Sequence, residues 1–107
     1  MKRVAQVIRL DPAQIDEYER VHSEVWPGVL AQIKGSGIRN YSIYRYGDLL
    51  FSYFEYVGDD FEADMAAMAA DETTQRWWQI CEPMQRPVDE RAEGEWWHEL
   101  PEVFHTE

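Results

Sequence analysis

Tyr18, His22 and Trp26 stand four residues apart in the run Tyr-Glu-Arg-Val-His-Ser-Glu-Val-Trp-Pro over residues 18–27. On a helix that spacing stacks a phenol, an imidazole and an indole along one side. Ile15, Val25 and Val29 widen the side into an apolar stripe. Imidazole titrates near neutrality, at about 6.5 when unperturbed, so His22 is the natural candidate for moving a proton. The competing reading is a core histidine satisfied by a hydrogen bond.

Three further aromatic residues, Tyr41, Trp77 and Trp78, suit the same ligand chemistry. The C–H face of a pyranose is apolar while its hydroxyls demand oriented hydrogen bonds, and Tyr and Trp offer flat surfaces with O–H or N–H groups attached. Core packing is the rival explanation for such residues. Trp77 and Trp78 are adjacent, so on a helix one is expected to anchor in the core while the other faces a cleft or a partner. His98 and His105 share no tight ligand spacing such as His-x-x-x-His with each other or with His22, so no metal is expected. With no glycine-rich phosphate loop, no Cys-x-x-Cys pair and no nucleophilic serine motif, the chemistry is expected to run without a cofactor.

The elements that must position these groups belong to one domain, 1–107. A net charge of −11, from 21 acidic and 10 basic residues, repels phosphate backbones and anionic lipids. Nucleic acid and membrane partners are therefore not expected, and a neutral substrate is. No apolar run reaches the roughly 18 residues of a membrane span, and the N-terminus lacks the apolar core of a signal peptide. A single cysteine, Cys81, has no internal disulfide partner. The simplest location is the cytoplasm.

Residues 2–10 read as a strand with Val4, Ile8 and Leu10 on one face, Gln6 lying oddly among them, and Ala5 and Val7 on the other. Asp11-Pro12, with Gln14 at capping-box spacing, opens a helix that carries Ile15, Tyr18, Val21, His22 and Val25 inward. Pro27 predicts a break at Trp26 and a second helical piece to about Lys34, with Trp26 swinging out to close over the site. Ile38–Tyr46 and Leu49–Val57 form a hairpin through Gly47-Asp48. If Tyr46 pairs with Leu49, Tyr41 falls opposite Phe54 and Asn40 opposite Glu55, and Arg39, Tyr41, Ile43 and Arg45 share a face. Residues 58–82 read as two helical pieces, the second starting at Asp71; 83–95 reads as a loop, and 96–105 as an extended edge strand or one that pairs partly with another molecule. The order implies an α+β, ferredoxin-like antiparallel sheet with helices on one face. The other face, too aromatic to leave bare, implies a homodimer stacked sheet to sheet, with a cleft in each subunit.

Over nearly its full length the chain resembles the L-rhamnose mutarotase family. The resemblance rests on residues 18–27, on Gly-Ile-Arg-Asn-Tyr-Ser-Ile-Tyr at 37–44, on Gln-Arg-Trp-Trp at 75–78 and on Glu-Val-Phe at 102–104, in that order. It implies a dimeric α/β barrel that interconverts the anomers of a 6-deoxy-hexose. It further implies that His22 is the proton donor and that Tyr18, Tyr41, Trp77 and Trp78 contact the sugar. The charged segment 83–95 and Trp96-Trp97 depart from the family pattern, so L-fucose or L-lyxose are candidate sugars beside L-rhamnose. Anomer exchange needs a proton delivered to the ring oxygen and one removed from the anomeric hydroxyl; a water or a carboxylate such as Glu24 would take the second. Two rivals stay open: an oxygenase or haem-degrading protein of the dimeric-barrel group, and a non-catalytic sugar-binding module.

Overall fold

Alternation of apolar and polar side chains makes β1 (Lys2–Leu10) the centre of an antiparallel sheet, in a computed structural model describing residues 1–107. A short 3-10 turn leads into α1 (Ile15–His22), followed by α2 (Pro27–Gly35), β2 (Ile38–Tyr46), β3 (Leu49–Tyr56), α3 (Phe61–Ala70) and α4 (Glu72–Cys81). A second 3-10 turn precedes the short strands β4 (Gln85–Arg86) and β5 (His98–Glu99). The strand order is β2-β3-β1-β4, with β5 also pairing β1, and every pairing is antiparallel. That is the expected ferredoxin-like order, curled into a half-barrel with helices on one face.

Register explains the core. Val4 lies across from Phe54, Gln6 from Ser52 and Ile8 from Leu50, so the period-2 pattern of both strands points one set of side chains at the helices. Ile8, Leu10 and Leu50 pack there with Tyr18, Val29, Trp77, Cys81 and Met84, while Val4, Ile38 and Phe54 form a second cluster. Gln6 is not stranded among them: Ser52 Oγ donates to its Oε1 at 3.4 Å.

Both helical stretches break where the sequence places a breaker. Asp11 caps the first 3-10 turn through the Ala13 N–H at 3.0 Å, whereas Gln14, at the start of α1, makes no side-chain cap. Trp26 takes an extended conformation, with Pro27 at the first position of α2. Asp60 caps α3 through Ala63, and Asp71 both ends that helix and caps α4 through the Thr74 N–H at 2.9 Å.

Two expectations about the strands fail. Tyr46 does pair with Leu49, but a bulge between Arg39 and Ser42 shifts the hairpin register, so Arg39, not Asn40, faces Glu55. Asn40 takes the left-handed conformation, φ 52°, which asparagine tolerates better than most residues, and its amide donates to Glu55 at 2.7 Å. The inserted residue moves Arg39 to the far face and leaves Ile38, Tyr41 and Ile43 together on the helix-facing side. The second failure is the C-terminal strand. Only His98–Glu99 pair, followed by one bond from the Leu100 N–H to Ala5 O, and Val103 and Phe104 leave the sheet fully exposed. Part of the edge is supplied instead by β4, inside the expected loop, which pairs with Arg9 and Leu10. No helix is long and apolar enough to cross a membrane.

Candidate active site

Between the helices and the sheet lies a cavity of about 440 Å³, a size suited to a small ligand. Tyr18, His22, Tyr41, Trp77 and Trp78 all line it. It lies on the helix-covered side of the sheet, and the far face takes no part in it.

His22 ends α1, and its ring folds back one turn, with Nδ1 2.8 Å from the Tyr18 carbonyl oxygen. A carbonyl only accepts, so Nδ1 carries the proton of the neutral ring and Nε2 is left with its lone pair for the cavity. The imidazole stacks on the Tyr18 ring at 4.1 Å and meets the edge of Trp77 at 5.3 Å. Burial holds its pKa below the ordinary histidine value, opposed by the hydrogen bond to Tyr18 O. His22 is thus half-buried and satisfied at one nitrogen, as a core histidine would be, yet free at the other.

Tyr18 is 3 % exposed, and burial raises its phenol above the usual range. Its oxygen accepts from Gln85 Nε2 at 3.2 Å. Tyr41 is 41 % exposed as a residue, but its ring lies edge-on to Phe54 at 5.7 Å and burial pushes its phenol up to about 12, with Cys81 adding to the rise. Both phenols therefore stay protonated near neutrality and can donate to a sugar oxygen. Trp77, 6 % exposed, anchors in the core and half-buried Trp78 faces the cavity, as the expected split has it, although Trp77 also reaches the lining. Trp26 does not close over the site. It stands behind Trp77, edge to face at 5.2 Å, and braces the wall from outside.

Glu24, the carboxylate offered as proton acceptor, is exposed and lies outside the lining; Glu82, just past α4, is the carboxylate that lines the cavity. Cys81, buried in the core cluster with Trp77, also lines the cavity, and burial pushes its thiol up to about 12, an unreactive state. His98 pairs with Glu95 at 3.0 Å on the C-terminal edge, and His105 lies in the exposed tail. No group of three or more His, Cys, Asp or Glu side chains is gathered as a metal site would require.

Several lining residues escaped the sequence analysis, Gln6, Glu82, Gln85, Trp96 and Trp97 among them. Gln6 had a signal, a polar residue on an apolar face. Gln85 had none. Trp96 and Trp97 were noted as a departure, and they form part of the wall. Trp96 Nε1 donates to Gln85 Oε1 at 2.7 Å. Their segment is pinned by Glu95, which accepts from the Ala92 N–H at 2.7 Å, His98 Nδ1 at 3.0 Å and the Glu99 N–H at 3.2 Å. The His98 bond, chiefly, holds the Glu95 carboxyl down to about 2.

The family model for L-rhamnose mutarotase matches residues 3–106. An L-rhamnose mutarotase of Oceanobacillus iheyensis is 32% identical over 109 residues, covering 100% of both chains. An L-fucose mutarotase of Xanthomonas campestris pv. campestris is 37% identical over 110 residues, covering 97% of this chain and 87% of its own. Among solved structures, an L-rhamnose mutarotase from Formosa agariphila superposes with a TM-score of 0.77 at 24% identity over 100% of both chains. Tetracenomycin F2 cyclase from Streptomyces glaucescens, at 0.69 and 19% identity over 99% of this chain and 96% of its own, shares the fold. With a family model spanning almost every residue and full-length relatives of the same name, the chain belongs to the L-rhamnose mutarotase family, a family of anomer-interconverting isomerases.

Proposed function

We propose that this protein interconverts the α and β anomers of L-rhamnose or a closely related 6-deoxy-hexose, with His22 carrying the proton. The observation that carries the reading is the bond between Nδ1 and the Tyr18 carbonyl, which presents Nε2 as a base inside an aromatic cavity. Nε2 takes the proton of the anomeric hydroxyl as the bond from the anomeric carbon to the ring oxygen breaks. The aldehyde forms, and the imidazolium returns its proton to the former ring oxygen. Rotation about the bond beside the aldehyde and closure on its other face reverse both transfers. Proton transfer of this kind contributes typically 10²–10⁴-fold. Tyr18 and Tyr41 supply donors to sugar oxygens, Trp77 and Trp78 supply flat apolar surface, and Glu82 is the one carboxylate in the cavity lining.

His22→Ala is expected to abolish accelerated exchange of L-rhamnose anomers in saturation-transfer NMR while leaving the fold and sugar binding largely intact. Unchanged exchange would remove His22 from the reaction. Because burial favours the neutral ring, the acid limb of kcat/KM should fall below the ordinary 6.5 of histidine. The same shift makes folding stability decline as pH drops below 6.5, where the unfolded chain binds a proton that the folded chain resists. An acid limb at or above 6.5 would contradict the assignment.

The relatives named for L-rhamnose and L-fucose make sugar identity a matter for a panel of deoxy-sugars. We also assign a homodimer. The far face of the sheet carries the cross-strand row Val7, Phe51 and Tyr44, and Tyr44 is 66 % exposed. Light scattering at micromolar concentration should give twice the chain mass. We assign the chain to the cytoplasm, a reducing compartment that suits its free Cys81 thiol.

A further inference from the structure

Gln85 is 6 % exposed, held on β4 opposite Leu10, and bonded through both ends of its amide. Amide ends are assigned from partners, and here the partners decide. The indole of Trp96 can only donate, so the carbonyl Oε1 must face it and Nε2 must face Tyr18. An N–H of Gln85 therefore occupies a lone pair of the Tyr18 oxygen and cannot accept the Tyr18 proton. That proton is left for the cavity, which Tyr18 lines.

We propose that Gln85 is a positioning residue: clamped by Trp96, it fixes the direction of the Tyr18 O–H, so that Tyr18 meets the sugar as a hydrogen-bond donor. A free phenol would spend part of its time turned away from the ligand; this one is oriented before the sugar arrives. Its natural partner is a sugar oxygen with an available lone pair, and a pyranose ring oxygen, which has no proton of its own, can only accept. Trp96 thus does more than wall the cavity, because its N–H selects which end of the amide faces Tyr18. The inference rests on the mutarotase reading for its catalytic consequence, but not for the orientation itself.

Gln85→Glu tests it by reversing polarity at nearly constant shape. A carboxylate still accepts from Trp96 but now also accepts from Tyr18, drawing the phenol proton away from the sugar. KM for the sugar should rise roughly tenfold or more, the scale of one buried hydrogen bond, with a smaller fall in kcat. Gln85→Met, which removes both bonds and leaves the phenol free to turn, should cost less than Gln85→Glu. The losses from Gln85→Glu and Tyr18→Phe should not be additive, since both remove the same donor. Equal effects in the Tyr18 and Phe backgrounds, or a greater loss in Gln85→Met than in Gln85→Glu, would show a merely structural role and overturn the proposal.

Raman difference spectra against Tyr18→Phe separate this inference from the enzymatic one, since the tyrosine doublet reports whether a phenol donates or accepts. In the sugar-free protein Tyr18 should read as an acceptor, and in Gln85→Glu as a strong donor. An unchanged doublet sinks the inference even if exchange is catalysed. The expected doublet change in a protein that exchanges no sugar sinks the activity and leaves the orientation standing.

Discussion

The cavity has two walls of different construction. One is regular secondary structure: α1, α4 and the β2–β3 hairpin hold Tyr18, His22, Trp77, Trp78 and Tyr41. The other, from Gln85 to Trp97, contains only the two residues of β4 and is held by side chains, with Glu95 gathering three donors and Gln85 gripping Trp96. In the first wall, burial of apolar surface fixes position, and many contacts share the task. In the second, a few hydrogen bonds do so, at about 1 kcal/mol each. The proposed mechanism puts its proton chemistry on the first wall, where small displacements are costly. Side chains on the second wall can vary without disturbing the core.

Trp77→Ala is the most severe way to break this contrast. It empties the place that braces His22 and Trp26, and a loss of about 3–5 kcal/mol in denaturant unfolding is expected. A loss under about 1 kcal/mol would mean that packing does not set the first wall. Asn40→Val should cost about 1–2 kcal/mol, because a β-branched residue resists the left-handed conformation of the bulge, while Asn40→Gly should be close to neutral. If valine were accepted without loss, the bulge would not be the device that keeps Tyr41 with Ile38. The mildest change is Glu95→Gln. It should barely alter the melting temperature but should loosen Trp96, read as a red shift in tryptophan emission. The Glu95 carboxyl is depressed, so its hold is complete above its ordinary 4.5 and is lost as pH falls toward about 2. The wild-type emission should shift over that range, and the variant emission should not.

The same contrast explains what could be read from the sequence. β1, both broken helices and the hairpin turn were legible because their signals are local: alternation in residues 2–10, Pro27 after Trp26, Asp71 as a cap, Gly47-Asp48 between two strands. His22, Tyr18 and the tryptophan pair followed from helical spacing and from the family resemblance. The bulge was not legible, since nothing near Asn40 says that the register must slip by one. Trp26 was misplaced because a proline break gives a bend but not its direction, and packing on Trp77 decided that. The long terminal strand contracted because β1 shares this edge between β4 and β5, each only two residues long. Gln85 lies 67 positions from Tyr18, a pairing that no local pattern encodes.

Tyr18 serves the site twice, and only one of its roles belongs to a side chain. The main-chain oxygen that fixes the His22 tautomer is supplied by the peptide unit itself, whatever residue occupies the position. Substitution scanning will therefore register the phenol and miss the carbonyl. Replacing the amide after Tyr18 by an ester, which weakens that oxygen as an acceptor, reaches the half of the residue that genetics leaves untouched.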